Sequence, residues 1–172
     1  MGKFDPNKLA FVDCEAVKFD FETHPMVRDH DAAVNSSWDV FQCMLPNRRS
    51  QSLFVWIKFE ASALDKKKRT VAKFTACFRC LFVVENFDDI VTDNPEGGGT
   101  IDGDAIISML SIGLSTSRGQ LQILLAKSPF IKLPMPVLTI KYLMDMPPFD
   151  VRDFFPEWYV AEGLEAAKNE EE

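Results

Sequence analysis

The sequence predicts an α+β fold, and three observations carry that prediction. In the first half, apolar residues alternate at the period of two that a half-buried strand requires, in runs around Val17 to Glu22, Leu53 to Glu60 and Ala72 to Glu85. In the second half, Ile107, Leu110, Leu114, Leu121 and Leu125 recur at spacings of three, four and seven, which is a helix with one apolar stripe. An acidic, glycine-containing crossover from Glu85 to Gly103 separates the two halves. At 172 residues and 47% apolar content, the chain has the size of one domain with a sizeable core.

The first strand sets Val17, Phe19 and Phe21 against Lys18, Asp20 and Glu22, so one face is apolar and the other wet and mostly acidic. His24-Pro25 stops it. An apolar run from Trp38 to Leu45 then meets Pro46-Asn47-Arg48-Arg49-Ser50, and another, Leu53 to Phe59, follows at once. These are two antiparallel strands around a polar turn, or one long bent strand interrupted by a bulge. Within the later run Leu53, Val55, Ile57 and Phe59 share a face, yet Phe54 and Trp56 place rings on the opposite one before Lys58 and Glu60 restore polarity. Lys66-Lys67-Lys68-Arg69 is a solvated turn into a long strand from about Val71 to Val84.

Asp102 or Asp104 is positioned to cap the helix that follows. Ser108, Ser111 and Ser115 form a second stripe of small side chains, which either faces solvent or lets another helix approach. Gly119 costs a helix interior about 1 kcal/mol relative to alanine, so a bend or the helix end is expected near Arg118-Gly119. Ser128-Pro129 and Leu133-Pro134-Met135-Pro136 then impose extended backbone. Val137 to Met146 is apolar and meets Pro147-Pro148, and Glu162 to Glu172 holds five Glu and one Lys. The expected organisation is one domain over residues 1–160 and an acidic, disordered tail over 161–172.

The 19 Lys and Arg against 26 Asp and Glu leave a net charge of −7, which disfavours nucleic acid and anionic lipid as main partners. No run is long and apolar enough to insert in a membrane, and Met1 to Pro6 is neither a secretory nor a myristoylation signal, so a cytoplasmic location is expected. Reduced thiols are therefore expected for Cys14, Cys43, Cys77 and Cys80. Cys77-Phe78-Arg79-Cys80 has the spacing of a redox or zinc motif, but strand alternation sends its sulfurs to opposite faces, one thiol buried and one outward. His24 and His30 lie in a loop-like segment away from other ligands at helical spacing. Pro95-Glu96-Gly97-Gly98-Gly99-Thr100 lacks the lysine of a phosphate loop and reads as a flexible crossover. No motif commits the chain to catalysis, and none implies a cofactor.

The order of these elements, together with Ser117-Arg118-Gly119 towards the end of the helix and Leu133-Pro134-Met135-Pro136-Val137 after the next loop, resembles the SecB-like family of protein-export chaperones over roughly residues 14 to 143. The strand Val17 to Glu22 is similar to the family's opening strand. The resemblance implies a four-stranded antiparallel sheet packed against a long helix in the C-terminal half, assembled as a homotetramer, a dimer of dimers. It also implies ATP-independent holding of unfolded polypeptides for the SecA translocase or, in members tied to toxin–antitoxin systems, holding of an antitoxin. The aromatic-rich segment Asp150 to Tyr159 and the acidic tail depart from the family pattern and put the SecA partnership in doubt.

Three function classes follow. A polypeptide-holding chaperone would use exposed rings kept soluble by net negative charge: Phe54 and Trp56, joined by Phe41, with Leu114, Leu121 and Phe130 as the facing wall of a client groove. Each of the six is as readily plain core. Any translocase contact would use the wet face of the first strand through Asp20 and Glu22. An adaptor with one fixed partner would use the same rings. An enzyme or small-molecule binder would need a buried carboxylate such as Asp39 or Asp104 as base.

Overall fold

A computed structural model describes residues 4–24, 33–93, 99–126, 128, 130, 133, 135–146 and 148–162. His30, Pro95 to Gly98 and the acidic end from residue 163 lie outside the described residues. Four long strands, β1 (Leu9–Thr23), β2 (Asn35–Asn47), β3 (Ser52–Leu64) and β4 (Thr70–Val84), form one sheet in the order β1-β4-β3-β2. Every neighbouring pair is antiparallel. The region around Pro46 is therefore a hairpin: β2 and β3 pair from Asn35↔Leu64 to Asn47↔Ser52, and Gln51 closes the turn at φ 47°. Pro46 is tolerated inside β2 because β2 is an edge strand, where a missing N–H breaks no ladder bond. The basic turn after β3 is built on Asp65, whose carboxylate accepts from the backbone N–H groups of Arg69 and Lys67 and from the Arg69 side chain.

β1 departs from simple alternation. Its register with β4 slips between Phe11 and Asp13 and again between Ala16 and Lys18, so Val12 and Val17 are bulged residues. The second bulge turns Val17 to the face opposite Phe19 and Phe21, which corrects the expectation that the three share a face. It also brings both Cys14 and Phe19 onto the helix side despite their opposite parity.

After β4 come α1 (Phe87–Ile90) and a small antiparallel ladder of β5 (Val91–Asp93) and β6 (Gly99–Ile101), so the glycine-rich crossover is held at its base. Asp102 caps α2 (Gly103–Leu124) by accepting from Asp104 N and Ala105 N at 3.0 and 3.2 Å. Ala105, Met109, Leu110, Gly113, Leu114, Ser117 and Leu121 of α2 are buried against Val55, Ile57, Phe78 and Cys80. Ile107 is outward and 45% exposed, because two residues from Ala105 is about 200° around the helix. The helix does not end at Gly119. Buried Ser117 and Leu121 flank it, and Gln120 Nε2 donates to Cys14 O at 2.7 Å, which ties this turn of the helix to β1. Ser108, Ser111 and Ser115 donate back to the carbonyls four residues earlier.

The chain then turns back beside the sheet. Thr139 caps α3 (Ile140–Asp145), which lies along β2, and α4 (Val151–Phe154) and α5 (Pro156–Ala161) cross to the other face of the sheet. Asn47 Nδ2 donates to the carbonyl of Glu162 at 3.2 Å and fastens the end of that crossing. Among the described residues, no helix is long and apolar enough to cross a membrane.

Candidate functional site

Where α2 ends, rings gather on the helix-side face of the sheet. Phe130 inserts beside Phe74 at a centroid distance of 4.9 Å, Trp38 lies 5.4 Å from Phe74 and 6.0 Å from Phe130, and Phe21 lies 6.4 Å from Phe130. The Trp38, Phe21 and Phe74 contacts with Phe130 are all edge-on, the arrangement ring quadrupoles favour. A depression of about 190 Å³ opens beside this cluster, lined by Trp38, Gln122, Leu125, Phe130, Leu133 and Met135. Trp38 Nε1 is already bonded to Ser36 Oγ at 2.8 Å, so the indole shows the depression its apolar body. Among the described lining residues, Gln122 alone carries a polar amide side chain. Such a site suits one or two large apolar side chains, with an amide at the rim to take a backbone hydrogen bond.

The opposite face of the sheet carries a second ring cluster. Trp56 stacks on Phe155 at 5.0 Å and meets Trp158 edge-on at 4.7 Å, while Phe54 meets Trp158 at 4.9 Å. The Lys58 ammonium lies 4.5 Å from the ring centres of both Phe41 and Phe154 and 5.4 Å from that of Phe149. Its ion pair with Glu60, at 3.0 Å, holds it there. The Arg79 guanidinium sits 5.3 Å from the Trp158 ring centre and 6.0 Å from that of Phe54, oriented by Glu15 at 2.7 Å. The indole N–H groups of Trp56 and Trp158 are buried without an acceptor among the described residues. A donor in that state costs about 1–3 kcal/mol. Beneath the rings, burial pushes the Cys77 thiol up to about 12 and Cys43 up to about 11, with Asp150 adding to the latter.

No family model matches the sequence, and no curated protein matches it. Among solved structures, the chain is similar to the Mycobacterium tuberculosis Rv1957 SecB-like chaperone in complex with a ChAD peptide from the Rv1956 HigA1 antitoxin. The match has a TM-score of 0.56 at 13% identity and covers 77% of this chain and 92% of that one. The fold is that of the SecB-like chaperones.

Within this SecB-like fold the six candidate groove residues do not face one another, because the sheet itself divides them. Phe41, Phe54 and Trp56 belong to the outer face; Leu114, Leu121 and Phe130 belong to the helix side. Phe54 and Trp56 are not open groove rings but are 5% and 1% exposed beneath the C-terminal segment. Leu114, Leu121 and Phe130 are buried as well, and Phe130 lines the depression beside Trp38 with 3% of its surface exposed. Asp20 and Glu22 are exposed, yet each is paired, to Lys18 at 3.2 Å and Lys73 at 2.9 Å, so the wet face of β1 is of mixed charge rather than an acidic row. Cys77 and Cys80 do lie on opposite faces, but neither points outward: Cys77 is covered by the same segment that covers Trp56. Cys80 donates to Cys14 at 2.7 Å beside Ser117, which raises Cys80 and lowers Cys14. Asp39 and Asp104, the carboxylates considered for a buried base, are both exposed. Sequence reasoning missed Trp38, Gln122, Leu125, Leu133 and Met135 as one lining. They come from β2, α2 and the proline-bearing segment, and no local pattern joins them.

Proposed function

We propose that this chain is an ATP-independent chaperone that holds one defined polypeptide partner, and that a large apolar side chain of that partner enters the depression between Trp38, Leu125, Phe130, Leu133 and Met135. The observation that carries this reading is the depression itself, an open site built of rings and aliphatic side chains on a rigid sheet edge. Its size favours a defined partner over a broad clientele: about 190 Å³ accommodates an anchor residue or two. The antitoxin peptide bound to the structurally similar chaperone supports the same preference. Delivery to SecA is the weaker alternative, since Asp20 and Glu22 are neutralised by neighbouring lysines and exposed pairs contribute little to steering. Assembly as a homotetramer is supported by outward apolar residues, Ile107, Ile112 and Ile123 on α2 and Phe11 and Val12 on the edge strand β1.

An array of peptides with and without aromatic residues tests the reading. A defined-partner chaperone retains few peptides, each dominated by one or two aromatic or long aliphatic anchors, and Met135→Asp abolishes their retention. Uniform retention of aromatic peptides points to a general holdase. Retention indifferent to Met135→Asp rejects the depression as the site.

A further inference from the structure

We propose that the outer face of the sheet, centred on Phe54, Trp56, Lys58 and Arg79, is a second polypeptide-binding site for an aromatic-rich segment, and that residues 149–158 fill it in cis as a displaceable stand-in. The sheet lies between this face and the depression bounded by Phe130, so this inference does not depend on the reading of that depression.

The receiving side is built by the sheet. Trp56 and Phe54 are consecutive same-face residues of β3, Arg79 pairs with Trp56 across β4, and Glu60 and Glu15 hold the two cations in place. The occupant has little structure of its own. Its helices are four and six residues long, far below the length at which an isolated helix is stable, and Pro156 separates them. What holds it is its rings: Phe149 and Phe154 around the Lys58 ammonium, Phe155 on Trp56, and Trp158 between Trp56, Phe54 and Arg79. A ring placed over a desolvated cation is a specific attraction, so the face selects aromatic side chains and not merely apolar ones.

The fit is also incomplete, and the gap names what a better ligand brings. The two buried indole N–H groups, of Trp56 and Trp158, lack acceptors among the described residues. A polypeptide that places a backbone carbonyl next to its ring satisfies the Trp56 donor, which the chain's own segment leaves unmet. Space for more than the present occupant continues past Phe54 and Arg79 into a depression of about 250 Å³ floored by Ser52 and Leu81. A tethered occupant competes at an effective concentration of roughly millimolar, so a free peptide of similar chemistry is disadvantaged until the tether is weakened.

The test uses the full chain and a fluorescein-labelled peptide carrying residues 148–162 as probe. The Phe155→Ala/Trp158→Ala variant is expected to bind the probe at least about tenfold more tightly than the wild type, and adding Arg79→Glu is expected to remove that gain. Equal affinity of wild type and variant, or a gain that survives Arg79→Glu, overturns the proposal. Should the double variant fail to fold, hydrogen exchange of the wild type decides: amides of 149–160 are expected to exchange at least about 100-fold faster than those of β3. Exchange of both in one cooperative unit overturns the proposal, as does protection of 149–160 that rises with protein concentration, which would place a second copy's segment on the face. Neither result touches the Met135→Asp test of the first site.

Discussion

Trp56, stacked 5.0 Å from Phe155 and 1% exposed, behaves as a core ring, so Trp56→Ala is expected to cost about 3–5 kcal/mol in thermal or urea unfolding. Met135, at the rim of the other face, is expected to tolerate polar substitution with little change in melting. The thiols beneath Trp56 make stability depend on alkaline pH. Ordinary unfolded thiols ionise near 9.0, whereas Cys43 and Cys77 hold their protons up to about 11 and about 12 in the fold. The native state thus binds these protons more tightly, so their contribution is intact below pH 9 and is lost as pH rises through 11 and 12. Urea midpoints of the wild type are expected to fall more steeply between pH 8.5 and about 10.5 than those of a Cys43→Ala/Cys77→Ala variant; parallel slopes would contradict this. The side to which Phe54 and Trp56 point was legible from strand alternation. Their burial was not, because the covering rings, Phe155 and Trp158, lie about a hundred residues later and strand period says nothing about what packs on a face.

At the level of elements, α2 shows where local rules give way. Gly119 predicts a bend or a helix end, and the hydrogen bond from Gln120 to Cys14 and the burial of Leu121 carry the helix on to Leu124. Nothing lies within 4 Å of where a Gly119 side chain would point, so Gly119→Ala is expected to stabilise by about 0.5–1 kcal/mol, read as a rise in urea midpoint. Gly113 is the opposite case. A Cβ there meets Ile57 at 3.4 Å and Cys80 at 3.5 Å, ordinary contacts, so alanine fits while Gly113→Leu must push α2 off the sheet at about 1–3 kcal/mol. The strands were legible because each rests on neighbours in sequence, whereas the choice of Asp102 over Asp104 as cap and of a hairpin over one bent strand at Pro46 waited for the structure. The bulges at Val12 and Val17 were not, since a bulge is set by the partner strand β4 rather than by β1 alone.

For the whole molecule, a net charge of −7 favours keeping apolar surface in solution, while the carboxylates on the wet face of β1, Asp20 and Glu22, are paired with Lys18 and Lys73 and make no strong patch for a basic partner. Charge reversal at Asp20 and Glu22 is accordingly expected to leave polypeptide holding unchanged. Sedimentation is expected to show an assembly larger than a monomer, shifted to smaller species by Ile123→Asp on the outward face of α2, where Ile123 is 77% exposed. The central claim is that the depression beside Phe130 holds a partner's side chain. It is tested most directly by replacing Met135 with a photo-crosslinking residue and mapping the crosslink to an added aggregation-prone polypeptide. Crosslinks are expected to concentrate next to aromatic or long aliphatic residues of that polypeptide and to be lost when Leu133→Asp is added. Crosslinks absent altogether, or spread evenly and indifferent to Leu133→Asp, would contradict it.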